Sequence, residues 1–198
     1  MMQIQIDAEK AIKEIEAILG DVGKKKAPQI LSKAVNATAA EARTLLAKTA
    51  QETYAIKSAG FNKEMSIKKG STKTPIATIK SKGGPIELFK FQTSPAVYKT
   101  GDKKAKKTRA RVKAHGGMKN ILMDDRWAFV TQFDSGHKTL VQRTSEKRLP
   151  IKTLYSPSIP QMIGNEEEVY GLIQPQIQEM LYKHIYELTD KELLRGIK

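Results

Sequence analysis

Apolar residues recur every three or four positions at both ends of the chain and every second position in its middle. The first spacing lines one face of a helix, the second one face of a strand. Ala11, Ile12, Ile15, Ile18 and Leu19 predict a first helix, with Asp7 as its N-cap and Gly20 and Gly23 at its end. Pro28 marks the start of a second helix, since proline lacks an N–H that the first turn does not need. Its stripe of Ile30, Leu31, Ala34, Val35, Ala42, Leu45, Leu46 and Ala50 runs to about Tyr54, and alanines 37, 39, 40, 42 and 47 favour helix and close packing. Residues 55–63 are a break punctuated by Gly60.

Residues 65–69 and 76–82 alternate apolar side chains with lysine or threonine, the pattern of half-buried strands, and Thr74-Pro75 separates them. Gly83-Gly84-Pro85 is a turn. Residues 86–91 suit a short strand or docking segment. Residues 99–107 read as a mobile loop, because five lysines there leave little to bury. Residues 109–114 alternate and are expected to rejoin a sheet. Residues 129–133 and 138–144 form a hairpin around Asp134-Ser135-Gly136-His137, with Gly136 free to take positive φ. Prolines 150, 157 and 160 keep the next segment extended. Asn165 caps a last helix whose first turn holds Glu166, Glu167 and Glu168. Its stripe is Val169, Leu172, Ile173, Ile177, Met180, Leu181, Ile185 and Leu188, with a kink or a late start at Pro175.

Together these elements predict one α+β domain over residues 1–198: an antiparallel sheet of about four to six strands with long N-terminal and C-terminal helices packed against it. Residues 1–54 are its helical part, 62–145 its β-rich part with a basic loop at 99–108, and 146–198 the proline-spaced connection and last helix. There is no run of about 18 apolar residues, so no membrane span is expected. The mixed charges of the first 20 residues do not read as a secretory signal. With no cysteine, disulfides, thiolate zinc sites and cysteine nucleophiles are excluded.

Charge sharpens the picture. The net charge is +14, and its whole excess lies in the middle. Residues 51–100 hold 9 Lys/Arg against 3 Asp/Glu and residues 101–150 hold 13 against 5, whereas 151–198 hold 5 against 7. Such a field favours an anionic partner, nucleic acid or an acidic protein surface. Lys103, Lys104, Lys106, Lys107, Arg109, Arg111 and Lys113 concentrate it. On a strand, Lys107, Arg109, Arg111 and Lys113 share one face, able to track a phosphate backbone without reading sequence. The same run also reads as a solvated loop, or as lysines that blunt a sheet edge.

Catalytic signatures are missing. His115, His137 and His184 have no metal-ligand spacing. His184 and Glu187 read as a pair on a helix surface. Asp124-Asp125 beside Arg126 reads as a solvated turn rather than a cation site. No nucleophile elbow accompanies any serine, and neither glycine pair is a phosphate loop. The chain is expected not to be an enzyme and to need no cofactor or metal.

Ser135-Gly136-His137, Arg143, Arg148-Leu149-Pro150-Ile151 and Tyr155-Ser156-Pro157-Ser158-Ile159-Pro160 lie in order before the last helix. This run resembles the prophage minor tail protein Z family of tailed bacteriophages, over about a third of the chain. Ser156 stands where that family is expected to have glycine. The resemblance implies structural roles for Gly136, His137, Arg143, Leu149, Pro150, Tyr155, Pro157 and Pro160. It also implies a tail completion component, assembled in the host cytoplasm and carried in the virion tail. Such a protein acts in tail assembly and head–tail joining, as a homo-oligomeric ring between tail tube or tail terminator and head connector, with DNA passing through. The alternative from charge alone is a sequence-nonspecific nucleic-acid-binding protein.

Overall fold

The computed structural model describes residues 1–56, 60–96 and 107–196, with the backbone alone at 10, 19, 21–24 and 196. The chain opens with a strand, β1 (Met2–Asp7), not a helix. Ile4 and Ile6 point inward from it while Gln3, Gln5 and Asp7 stay exposed. Asp7 ends β1 and is not the N-cap of a helix; its carboxylate accepts the Glu9 N–H at 2.8 Å as the chain enters a single tight turn at Glu9–Ala11. Helix α1 (Ile12–Leu19) follows, and Gly20 at φ +58° turns the chain into α2 (Asp21–Thr53).

Helix α2 therefore begins before Pro28 and carries both Gly23 and Pro28 in its interior, contrary to the sequence expectation. The cost of a proline there is offset by burial on both sides of it: Ala27, Ile30 and Leu31 are 3% exposed or less. The alanines explain how α2 serves several neighbours at once. Ala34, Ala39, Ala42 and Ala50 are fully buried, so their faces are covered at close range. α1 packs on one side of α2, and α4 (Tyr170–Gly196) runs along another.

The β part is several small antiparallel sheets, not one sheet of four to six strands. β2 (Met65–Lys68) and β1 flank β3 (Ile76–Ser81), and α2 covers this first sheet. Ile79 lies opposite both Ile4 and Ile67 in register. Asn36 of α2 clamps the β2–β3 connection: its amide oxygen accepts the Gly70 N–H at 2.8 Å and its NH2 donates to the Gly70 carbonyl at 3.0 Å. A Cβ on Gly70 would stand 3.0 Å from the backbone of Ile76 and from Val35, so this approach needs glycine.

Next come β4 (Ile86–Glu87), a short helical turn at Leu88–Lys90, and β5 (Gln92–Ser94). β5 pairs with β6 (Arg109–Arg111), and β6 with β7 (Lys119–Asn120). Bridges Tyr54–Lys113 and Ile56–Phe91 tie this second sheet to the end of α2. β8 (Leu122–Met123) and β9 (Arg126–Trp127) form a tight ribbon around Asp124 and Asp125, both at positive φ. Asp124 binds Arg126 at 2.9 Å, so this pair is a turn. β10 (Phe129–Gln132), β11 (Lys138–Arg143) and β12 (Ile151–Thr153) make the third sheet, and β13 (Tyr155–Ser156) returns to β4.

Pro160 does not extend the chain. It sits in the first turn of α3 (Ile159–Ile163), where Ser158 and Gln161 form a reciprocal capping box. α4 runs unbroken through Pro175, its sixth residue, which forgoes the one helical bond its N–H would have made. Asn165 caps the turn before α4, accepting the N–H groups of Glu167 and Glu168 at 3.0 and 3.1 Å. A single core joins the layers, from Ile4 and Ile15 through Leu46 and Phe91 to Leu140, Met162 and Ile185.

Candidate anionic-partner surface and motif hairpin

Strand β6 is the middle of its sheet, and its alternation is as the sequence implies. Thr108 and Ala110 are 1% and 4% exposed, while Lys107, Arg109 and Lys113 stand in solvent and Arg111 is half-buried. Lys103, Lys104 and Lys106, like most of the expected mobile loop, lie outside the described residues. The cross-strand neighbours are polar: Gln92 and Ser94 face Arg111 and Arg109, and Asn120 lies beyond Arg109.

Two of the four described cations have internal partners. Lys113 Nζ lies 2.7 Å from Glu168 Oε1, tying the segment after β6 to the turn before α4. Lys107 Nζ sits 5.8 Å from the centre of the Trp127 ring. Arg109 and Arg111 are left as the core of the stripe. The face can hold an anion through charge and guanidinium hydrogen bonds.

Around Lys113, two pKa shifts share a direction. Hydrogen bonding and attraction by Glu168 push the Lys113 ammonium up, and burial pushes the Tyr54 hydroxyl up, partly opposed by the hydrogen bond from Asn165. A group whose folded pKa is raised stabilises the fold below its unfolded pKa, and that contribution is lost as pH rises through the folded value. Melting temperature is therefore expected to hold up to about pH 10 and fall above it, less steeply in Tyr54→Phe. Melts from pH 8 to 11 check this; equal slopes in both proteins would remove Tyr54 from the account.

The motif turn closes on a carboxylate that sequence reasoning missed. Gly136 adopts φ +81°, and its N–H donates to the Phe133 carbonyl at 2.8 Å. This turn places His137 Nε2 3.0 Å from Glu87 Oε2. The buried Thr139 hydroxyl donates to the same oxygen at 2.7 Å. His137 also stacks on Phe133, with ring centroids 6.3 Å apart. Glu87 lies opposite Tyr155 in the β4–β13 register, so the Ser-Gly-His turn and the aromatic-proline run meet through it. Nothing in residues 86–91 marks Glu87 in advance, because its partners are about 50 and 70 residues away.

Other motif residues serve locally. The Arg143 guanidinium covers the Phe129 ring at 5.7 Å. The Pro150 carbonyl accepts both the Thr144 N–H and hydroxyl, at 3.2 and 3.1 Å, closing the loop that carries Leu149. Leu149 and Tyr155 are 63% and 58% exposed, unlike buried Pro160. Pro157 is exposed between them and α3. Ser156, in place of the expected glycine, fits extended in β13 with its side chain inward.

The remaining histidine expectations change. His184 is not paired with Glu187; it lies 3.3 Å from Glu41 on α2, while Glu187 is 3.9 Å from Lys183. Among the described residues no group of three His, Cys, Asp or Glu side chains could hold a metal. No helix among them is long and apolar enough to cross a membrane.

The family described as Prophage minor tail protein Z (GPZ) matches this chain over residues 7–195. No curated protein and no solved structure matches it. The match takes in α2, the basic strand, the motif hairpin and nearly all of α4. A structural role in a phage tail, as part of the virion, follows from it. The chain belongs to the prophage minor tail protein Z family.

Proposed function

We propose that the protein completes the tail: copies add at the tail's end as a ring and present a surface for head joining. Its partners in this reading are itself, the tail tube or tail terminator, and the head connector. It works by assembly, not catalysis, after synthesis in the bacterial cytoplasm. The observation that carries this is the family match over residues 7–195, on a chain whose motif residues lie in one unit of β11–β13 and the start of α3, with the Ser-Gly-His turn bound to Glu87. The exposed Leu149 and Tyr155 within that unit suit contact with a neighbouring protein.

Arg109 and Arg111, with the lysines before them, would line a passage for DNA. Such a lining needs charge and no sequence preference, which a polar, cation-bearing sheet face supplies. A nonsense mutation in the gene within its phage tests the role. The expected result by electron microscopy of lysates is filled heads separate from near-complete tails. Intact infectious particles would overturn it. Charge reversal at Arg109 and Arg111 is expected to cut DNA delivery, and unchanged delivery would remove the lining.

A second reading, a free nucleic-acid-binding protein, is favoured by the same two arginines. A gel shift of the isolated chain with a steep salt slope would support it.

A further inference from the structure

The two segments without a large positive excess, residues 1–50 and 151–198, fold together into a second cationic surface. α2 and α4 enclose a groove with Ile30 and Leu188 in its lining and Lys26, Lys33, Lys191 and Arg195 on its walls. The carboxylate among them, Glu192, is engaged by Lys26 at 3.2 Å and Arg195 at 2.9 Å. Both cations hold its carboxyl below the usual range. Lys33 and Lys191 stand exposed at the rim.

The far side of α4 has the opposite character. Leu172, Tyr182 and Tyr186 are 56%, 48% and 55% exposed, with Glu179 and Asp190 exposed among them. At about 100° per residue these five fall within a stripe roughly 80° wide, diametrically opposite Leu188 and Arg195. It is aromatic and acidic, with Lys183 at its edge, where the groove is basic.

We propose that this α4 stripe of one copy seats in the α2/α4 groove of a second copy. Charge complementarity selects the occupant: Glu179 and Asp190 meet Lys33 and Lys191, and the tyrosine rings meet the lysine ammonium groups. Because the two surfaces lie on opposite faces, the contact is head-to-tail, the kind that closes into a ring when its rotation allows. This rests on the ring proposed above and supplies its contact.

Sedimentation velocity of the full chain over a concentration series tests it. The wild type is expected to associate, more weakly at high salt. Lys33→Glu/Lys191→Glu and Glu179→Lys/Asp190→Lys are each expected to weaken association about 100-fold, from like charges set face to face. Mixing the two variants is expected to restore it, since each reversed surface then meets its complement. Thermal melts matching the wild type confirm that both variants fold. A wild type still monomeric at about 100 µM overturns the contact, as does association that ignores both reversals or a mixture that fails to recover. Groove reversal that blocks particle formation but not self-association would assign the groove to another protein, also overturning it. The nonsense phenotype is scored separately, so a monomeric chain with separate heads and tails sinks this contact and leaves the tail role standing.

Discussion

Replacing Ile79 by alanine is expected to cost about 2–5 kcal/mol, the range for deleting a large aliphatic side chain from a packed interior. Ile79 is fully buried at the centre of β3, opposite Ile4 and Ile67 and beneath α2. Neither neighbouring strand can collapse into the gap without breaking its register with β3. For a chain of this size each kcal/mol moves the melting temperature by roughly 2–4 °C, so a drop of about 5–20 °C is expected by calorimetry. A drop under about 2 °C would mean that Ile79 is not packed between its strand neighbours and α2.

The second large effect is expected at Glu87. Glu87→Ala leaves the buried Thr139 hydroxyl without its acceptor, at about 1–3 kcal/mol. The His137 contact adds little, because the imidazole is half in solvent and exposed pairs are weak. Glu87→Gln keeps an acceptor oxygen and is expected to recover most of the loss. Hydrogen exchange shows where it falls: amides of β11 and β4 should exchange faster in Glu87→Ala while those of α2 change little. Uniform acceleration across the chain would deny the junction its local character. Particle assembly should suffer with it, since the hairpin turn is held in place through this carboxylate.

The two effects differ in how readable they were from sequence. Local features declared themselves. Gly136 and the strand-forming runs on either side define the hairpin, because turn chemistry acts over a few residues. Arg109 and Arg111 share a face of β6 because strand alternation is equally local, while Lys107 and Lys113 lie outside that strand. The α2 stripe was visible, but its start was not, since buried neighbours outweigh what Pro28 costs. β1 was missed although Ile4 and Ile6 alternate cleanly. Asp7 drew attention as a helix cap, and a strand of six residues offers few repeats of its period. The division into small sheets, Glu87 under His137, and the ion pairs of Lys113 and His184 are contacts between distant segments, which no local pattern encodes. At the candidate site, sequence supplied the cations. The fold shows that Lys113 is bound to Glu168 and Lys107 leans on Trp127.

The place of β1 also sets an order on synthesis. Its strand partner is β3, whose register with it runs from Ile76 to Ser81. Ribosomes add about 5–20 residues per second, so Ile4 and Ile6 wait on the order of 4–15 s before β3 exists to receive them. During that interval the nascent chain offers an unpaired edge with two isoleucines on one side, beside a helix able to form at once.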